Sequence, residues 1–132
     1  MGIPAKQMEA LKAQAVKVKA LEHADADAPK LMGMPVPYLL DLKGYDPVTE
    51  AKKLTAPMLF LQGERDFQVT MKDLALWKAG LAGRKDITFK SYPALNHLFV
   101  AGEGKSTEAE YRKPGHVAPE VVDHIAKWMT GR

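Results

Sequence analysis

The sequence predicts an α/β fold built on parallel strands, and three observations carry that prediction. Met58–Gln62 is a short, nearly continuous apolar run, the pattern of a strand covered on both faces. Ile87–Tyr92 reads as a second strand. Between them Thr70-Met-Lys-Asp73 has the form of a capping box, and Leu74, Trp77 and Leu81 then fall on one helical face, with Gly83 as the stop. Strand, helix and strand in this order make a parallel pair joined by a crossover.

The elements before this unit are helical. From about Pro4 to Glu22, Met8, Leu11, Ala15 and Val18 recur at spacings of three and four, the signature of one amphipathic helix. Asp25–Pro29 breaks it. Lys30–Leu42 is apolar and rich in Met and Pro, and reads as a lid or an interface, since Met-rich surfaces adapt to ligands and to partners alike. Asp46-Pro47 then supplies an N-cap and a first-turn proline for a short helix through Leu54. After the second strand comes a long loop rich in Gly, Glu and Lys. Pro119–Met129 closes the chain as a helix with Val121, Val122, Ile125, Trp128 and Met129 expected to face inward.

Composition sets the outer limits. The chain has 132 residues, 46% hydrophobic and 27% charged, a soluble, globular balance, and it is short for an α/β architecture that usually takes roughly 200 residues. The net charge of +3 is spread among 16 acidic residues with no basic stripe, which argues against nucleic-acid binding. No apolar run approaches the ~20 residues of a membrane span. The amino terminus lacks the charged and apolar regions of a signal peptide. There is no cysteine, and none of the His23, His116, His97 and His124 spacings is that of a zinc site, so no metal and no cofactor is expected. Two strands leave two open edges, so self-association or pairing with a complementing chain is expected.

The chemistry lies at the strand ends. The first strand runs into Leu-Gln-Gly-Glu-Arg-Asp-Phe-Gln-Val69, the second into Ser-Tyr-Pro-Ala-Leu-Asn-His-Leu-Phe99, and the long loop ends in Glu-Tyr-Arg-Lys-Pro-Gly-His-Val117. Asp66 and His97 are thirty-one residues apart, room for one helix and one strand, so both can project from the same carboxyl end of a parallel sheet. Each also has a plainer reading, Asp66 as a turn residue after Gly63 and His97 as a loop histidine satisfied by backbone. His116 reads as loop packing, His124 as a half-exposed residue near Glu120, and His23 as a cation at a helix end.

These three segments resemble the carboxy-terminal part of an α/β-hydrolase of the esterase and dienelactone-hydrolase-like kind. The resemblance implies a partial α/β-hydrolase fold, with residues 1–45 as a helical cap or lid and residues 46–132 as the last parallel strands and helices of the core. It implies a catalytic triad in which Asp66 orients an imidazole and His97 is the general base. Tyr38, Phe67 and Leu98 are the expected substrate contacts for a small ester. The third triad member has no place here. Only Ser91 and Ser106 are available, and neither sits in Gly-x-Ser-x-Gly. Ser106 lies in a polar loop that lacks the strand-to-helix turn of a nucleophile elbow. The family's earlier strands, oxyanion loop and serine elbow are expected upstream of Met1. Two readings stand: a hydrolase of carboxylic esters, or a piece of one, whose serine comes from elsewhere, and a non-catalytic truncated remnant that folds by oligomerisation.

Overall fold

The structure, a computed structural model, describes residues 4–23 and 28–131. Most of the break expected at Asp25–Pro29 therefore lies outside the described residues, as does the first part of the amino terminus. The chain divides into two compact units, Met1–Pro47 and Val48–Arg132.

In the first unit, α1 (Ala5–Lys19) and α2 (Val36–Gly44) pack together. Leu11, Ala15 and Val18 of α1 are half-buried, as their spacing predicts, whereas Met8 is exposed. Prolines at the start of α2 cost no hydrogen bond, because the first turn has none to lose, and Val36 and Leu39 are buried. At its far end Lys43 Nζ donates to the carbonyls of Lys19 (2.8 Å) and Leu21 (2.7 Å), giving the last acceptors of α1 a cation.

The second unit takes in α3 (Pro47–Lys53) from its second residue and continues through β1 (Met58–Gly63), α4 (Met71–Gly80), β2 (Ile87–Tyr92), a 3₁₀ turn (Glu108–Arg112) and α5 (Pro119–Thr130). The strands pair in parallel, from Met58 opposite Ile87 to Gly63 opposite Tyr92. Side chains alternate, so each face carries its own layer. On one, Phe60 lies 4.9 Å from both Phe89 and Trp77 between ring centroids, which seats α4 on the sheet. On the other, Leu61, Phe99 and Ala118 surround the buried cluster Tyr92, Leu95 and Val121, which seats α5. Asp73 accepts from the Thr70 backbone N–H (2.6 Å) and hydroxyl (2.8 Å) and so starts α4. Arg84 ties the entrance of the sheet together, donating to the carbonyls of Leu54 (2.7 Å) and Ala56 (3.0 Å) while pairing with Asp86.

Three expectations need correction. The first four residues of β1 are half-buried rather than covered on both faces, since the two strands form the whole sheet among the described residues and leave it open at both edges. Of the α5 residues expected to face inward only Val121 is buried, while Val122, Ile125, Trp128 and Met129 are exposed. Val121, at the start of the helix, meets the cluster, and Val122 and Met129, turned about 100° and 80° from it at about 100° per residue, are the most exposed. Helix α4 closes at Gly80, before Gly83, with Leu81 as its C-cap, buried and with its N–H on Trp77 O (3.0 Å).

Leu81→Ala is therefore expected to remove about 3 kcal/mol of stability, read as a lowered urea midpoint.

Candidate active site

Level strand ends bring two loops into contact. At Gly63 a Cβ would stand 2.5 Å from the carbonyl oxygens of both Leu95 and Asn96, so only a glycine lets the loop after β2 cross the end of β1 so closely. The loops then join through backbone: Glu64 N–H donates to Tyr92 O and Arg65 N–H to Leu95 O, both at 3.0 Å. One residue beyond Arg65 is Asp66, and two beyond Leu95 is His97.

The Asp66 side chain is buried and saturated with donors. Oδ1 accepts from the N–H groups of Gln68 (2.8 Å) and Val69 (3.0 Å), an Asx-type turn. Oδ2 lies 2.7 Å from His97 Nδ1, with Gln62 Nε2 at 3.4 Å. Burial pushes the Asp66 carboxyl up, but the bonds from His97, Val69 and Gln68 outweigh it and hold the group below its ordinary value. A carboxylate only accepts, so the proton of this bond sits on Nδ1 and the neutral ring presents Nε2 as an acceptor. The His97 side chain is 39% exposed, and among the described residues Nε2 has no hydrogen-bond partner.

Other expected site residues are more scattered. Phe67 stacks on Tyr111 at 5.7 Å and lines an open cleft of about 710 Å³ with Asp66, Thr70, Lys105 and Thr107. That cleft does not reach His97. The hollow that takes in both Asp66 and His97 is smaller, about 170 Å³, and is lined also by Leu61, Val69 and Phe99. Leu98 is exposed beside His97. Tyr38 belongs to the first unit, exposed on α2. Neither serine is bonded to the imidazole: Ser91 Oγ donates to Glu64 (2.7 Å) and Ser106 Oγ to Glu110 (3.1 Å). Ser106 is fully buried, with the 3₁₀ turn bringing Glu110 to its hydroxyl. His124 Nδ1 lies 2.9 Å from the Tyr92 hydroxyl, a cross-link between α5 and β2 that carries no chemistry toward Asp66. No three His, Asp or Glu side chains among the described residues converge as metal ligands would, and no described helix is long and apolar enough to cross a membrane.

Sequence reasoning missed Asn96 and Glu110. Asn96 is buried, and its Oδ1 accepts from the N–H groups of Leu98 (3.0 Å) and Val100 (3.2 Å), folding the loop around His97. Glu110 bonds to Asn96 Nδ2 and pairs with Arg65. The available signal was positional: Asn96 and Arg65 each adjoin a residue of the Asp66–His97 pair.

Glu110 too is held below its ordinary value, first by the bond from Asn96 and then by those from Arg65 and Ser106, against the burial that raises it. Carboxylates depressed in the folded state contribute stability that is complete above their unfolded value and lost as pH falls through the folded one. The urea midpoint should thus be flat above about pH 5 and fall below about pH 4. Glu110→Gln should fall less steeply over that window; an equal slope would remove Glu110 from the account.

The sequence profile of the Dienelactone hydrolase family matches residues 19–121. Esterase EstD of Thermotoga maritima is 48% identical over 99 residues, which cover 75% of this chain and 24% of that protein. The chain thus spans about a quarter of the length of the curated relative it matches. No solved structure gives a significant match. With its parallel pair, its crossover helix and this extent of likeness, the chain belongs to the dienelactone hydrolase family.

Proposed function

We propose that this chain carries the acid–base half of a serine-type hydrolase acting on small carboxylic esters. The observation behind the reading is the 2.7 Å bond from His97 Nδ1 to a buried carboxylate, with Nε2 left open. A serine hydroxyl is a poor nucleophile until a base takes its proton. In this reading His97 Nε2 accepts that proton as the serine oxygen attacks the ester carbonyl, and Asp66 stabilises the imidazolium that results. The imidazolium then protonates the departing alkoxide, and the acyl-serine is hydrolysed by water, with His97 as base again.

The serine belongs to residues outside this sequence, as do the donors for the oxyanion. Residues 1–45 act as the helical lid and residues 46–132 as the last strand-helix units of an α/β-hydrolase core. Phe67 and Leu98, flanking the pair along the sequence, and Tyr38 in the lid make the apolar contacts with substrate. The open sheet edges and the exposed stripe Val122, Ile125 and Met129 pair with the remaining part of such a core. The second reading, a non-catalytic remnant that folds by oligomerisation, draws on the same exposed stripe and on two serines that are both engaged elsewhere.

The test is hydrolysis of a short-chain p-nitrophenyl ester by the 132-residue protein alone and mixed with the part of the Thermotoga maritima esterase that it does not match. The chain alone should equal the buffer blank, and the mixture should turn over. His97→Ala in the mixture should lose at least about a thousandfold of that rate. A mixture no faster than its His97→Ala counterpart, with the chain running as an oligomer by light scattering, establishes the remnant instead.

A further inference from the structure

The 3₁₀ turn Glu108–Arg112 holds neither Asp66 nor His97, yet its half-buried Glu110 is wired to both loops that do. Arg65 and Glu110 are ion-paired at 2.5 Å, with side chains only 7% and 23% exposed. The other donors of Arg65 are used in the same place, Nε on Gly104 O (2.7 Å) and Nη2 on Glu103 O (2.9 Å), with Nη1 toward Ala94 O at 3.4 Å. A Cβ on Gly102 would stand 2.3 Å from Nη1, so the loop backbone lies directly against the guanidinium. The second Glu110 oxygen accepts from Asn96 Nδ2 (3.2 Å) and Ser106 Oγ (3.1 Å). No buried side-chain polar atom among the described residues is left without a partner, so the cluster is complete as it stands.

We propose that Glu110 clasps Arg65 to Asn96 and thereby fixes the distance between the neighbouring Asp66 and His97, making Arg65, Asn96 and Glu110 positioning residues for the acid–base pair. This deepens the function proposed above and rests on it. Arg65 and Asp66 are consecutive, as are Asn96 and His97. A carboxylate that holds the first member of each couple sets the separation of the second members. It does so from outside the reacting groups, because Glu110 bonds to neither Asp66 nor His97. An arginine fork is suited to this, since its planar donors fix direction as well as distance.

The clasp can be inverted chemically. Asn96→Asp keeps the oxygen that accepts from Leu98 and Val100 but replaces the amide donor with a second carboxylate facing Glu110. Glu110→Gln keeps shape but removes the charge that holds Arg65. In the double variant the new amide donates to the new carboxylate, with the same atoms in reversed roles and the net charge unchanged. The readout is the His97 Nδ1–H proton in the NMR spectrum of the full chain, a low-field resonance whose exchange with water reports how well the bond to Asp66 is held. It needs no turnover. Each single substitution should speed that exchange about tenfold, the double should return it to within about twofold of wild type, and Leu81→Ala should leave it unchanged while lowering the urea midpoint. Glu110→Gln alone decides the matter if Asn96→Asp does not fold. Exchange at the wild-type rate in Glu110→Gln, or a double variant no slower than the singles, overturns the clasp. Asp66→Asn should abolish the protected proton; its persistence there would overturn the pairing on which the proposed function rests, a separate failure.

Discussion

Everything at the candidate site depends on one constraint, the level parallel register that sets Gly63 opposite Tyr92. A one-residue slip would exchange the faces of β1, sending Phe60 away from Trp77 and Leu61 out of the cluster around Tyr92. With the register kept, the two strands leave the sheet at the same height and their loops must share one small volume. Gly63 makes that possible by having nothing where the carbonyls of Leu95 and Asn96 pass. The approach then satisfies the loop backbone by direct N–H to carbonyl bonds, so the crowding is stabilising rather than costly. Asp66 and His97 meet because their loops have nowhere else to go.

The elements were legible where the signal is local. The strands, the start of α4 at Thr70, the start of α5 at Pro119 and the crossover order all follow from residues a few positions apart. The Asp66–His97 pairing was legible one level higher, because chain order and strand direction suffice to place both residues at one end of a sheet. Burial of α5 was not. An amphipathic stripe says that a helix has an apolar side, and Val121 and Val122 are equally apolar; which of them is covered depends on the neighbour, Tyr92 and Leu95 on one side and no described element on the other. Arg65 with Glu110 was invisible for a related reason. Forty-five positions separate them, and surface ion pairs of Arg and Glu are so common that only burial marks this one. The burial of Ser106 was invisible too, as a polar composition does not show that a 3₁₀ turn will close over it.

The loop that carries His97 adopts a backbone that needs support. Phe99 has φ of 56°, in the left-handed region where a bulky side chain is strained, at an expense of order 1–3 kcal/mol. Several bonds oppose it: Asn96 Oδ1 holds the N–H groups of Leu98 and Val100, Phe99 N–H reaches Asn96 O (3.0 Å), and Ala118 N–H reaches Phe99 O (2.9 Å). The Phe99 ring is placed edge-on to Tyr92 at 6.0 Å, inside the core cluster. Strain at this point turns the chain sharply just after His97, which lets the ring stand outward while the backbone on both sides returns to the protein. Asn96 is thus the common root of the turn and of the link to Glu110.

Held this way, the Asp66–His97 pair is assembled from this chain's own residues. That bears on how a family member could divide its site. In a triad the imidazole must be in one tautomer and one orientation before the hydroxyl arrives, because reorganising during the reaction raises the barrier. Here the orientation comes from a buried carboxylate whose own position is set by the Gln68 and Val69 N–H groups, and the tautomer from that carboxylate's inability to donate. None of these groups waits for a serine. Under the proposed function, the segment bearing the serine has only to place one hydroxyl within reach of Nε2, a demand on position but not on the chemistry of the base. Under that function, preorganisation of this kind would serve equally whether the remaining strands come from the same polypeptide or from another, so dividing the site between segments would cost the base nothing in readiness.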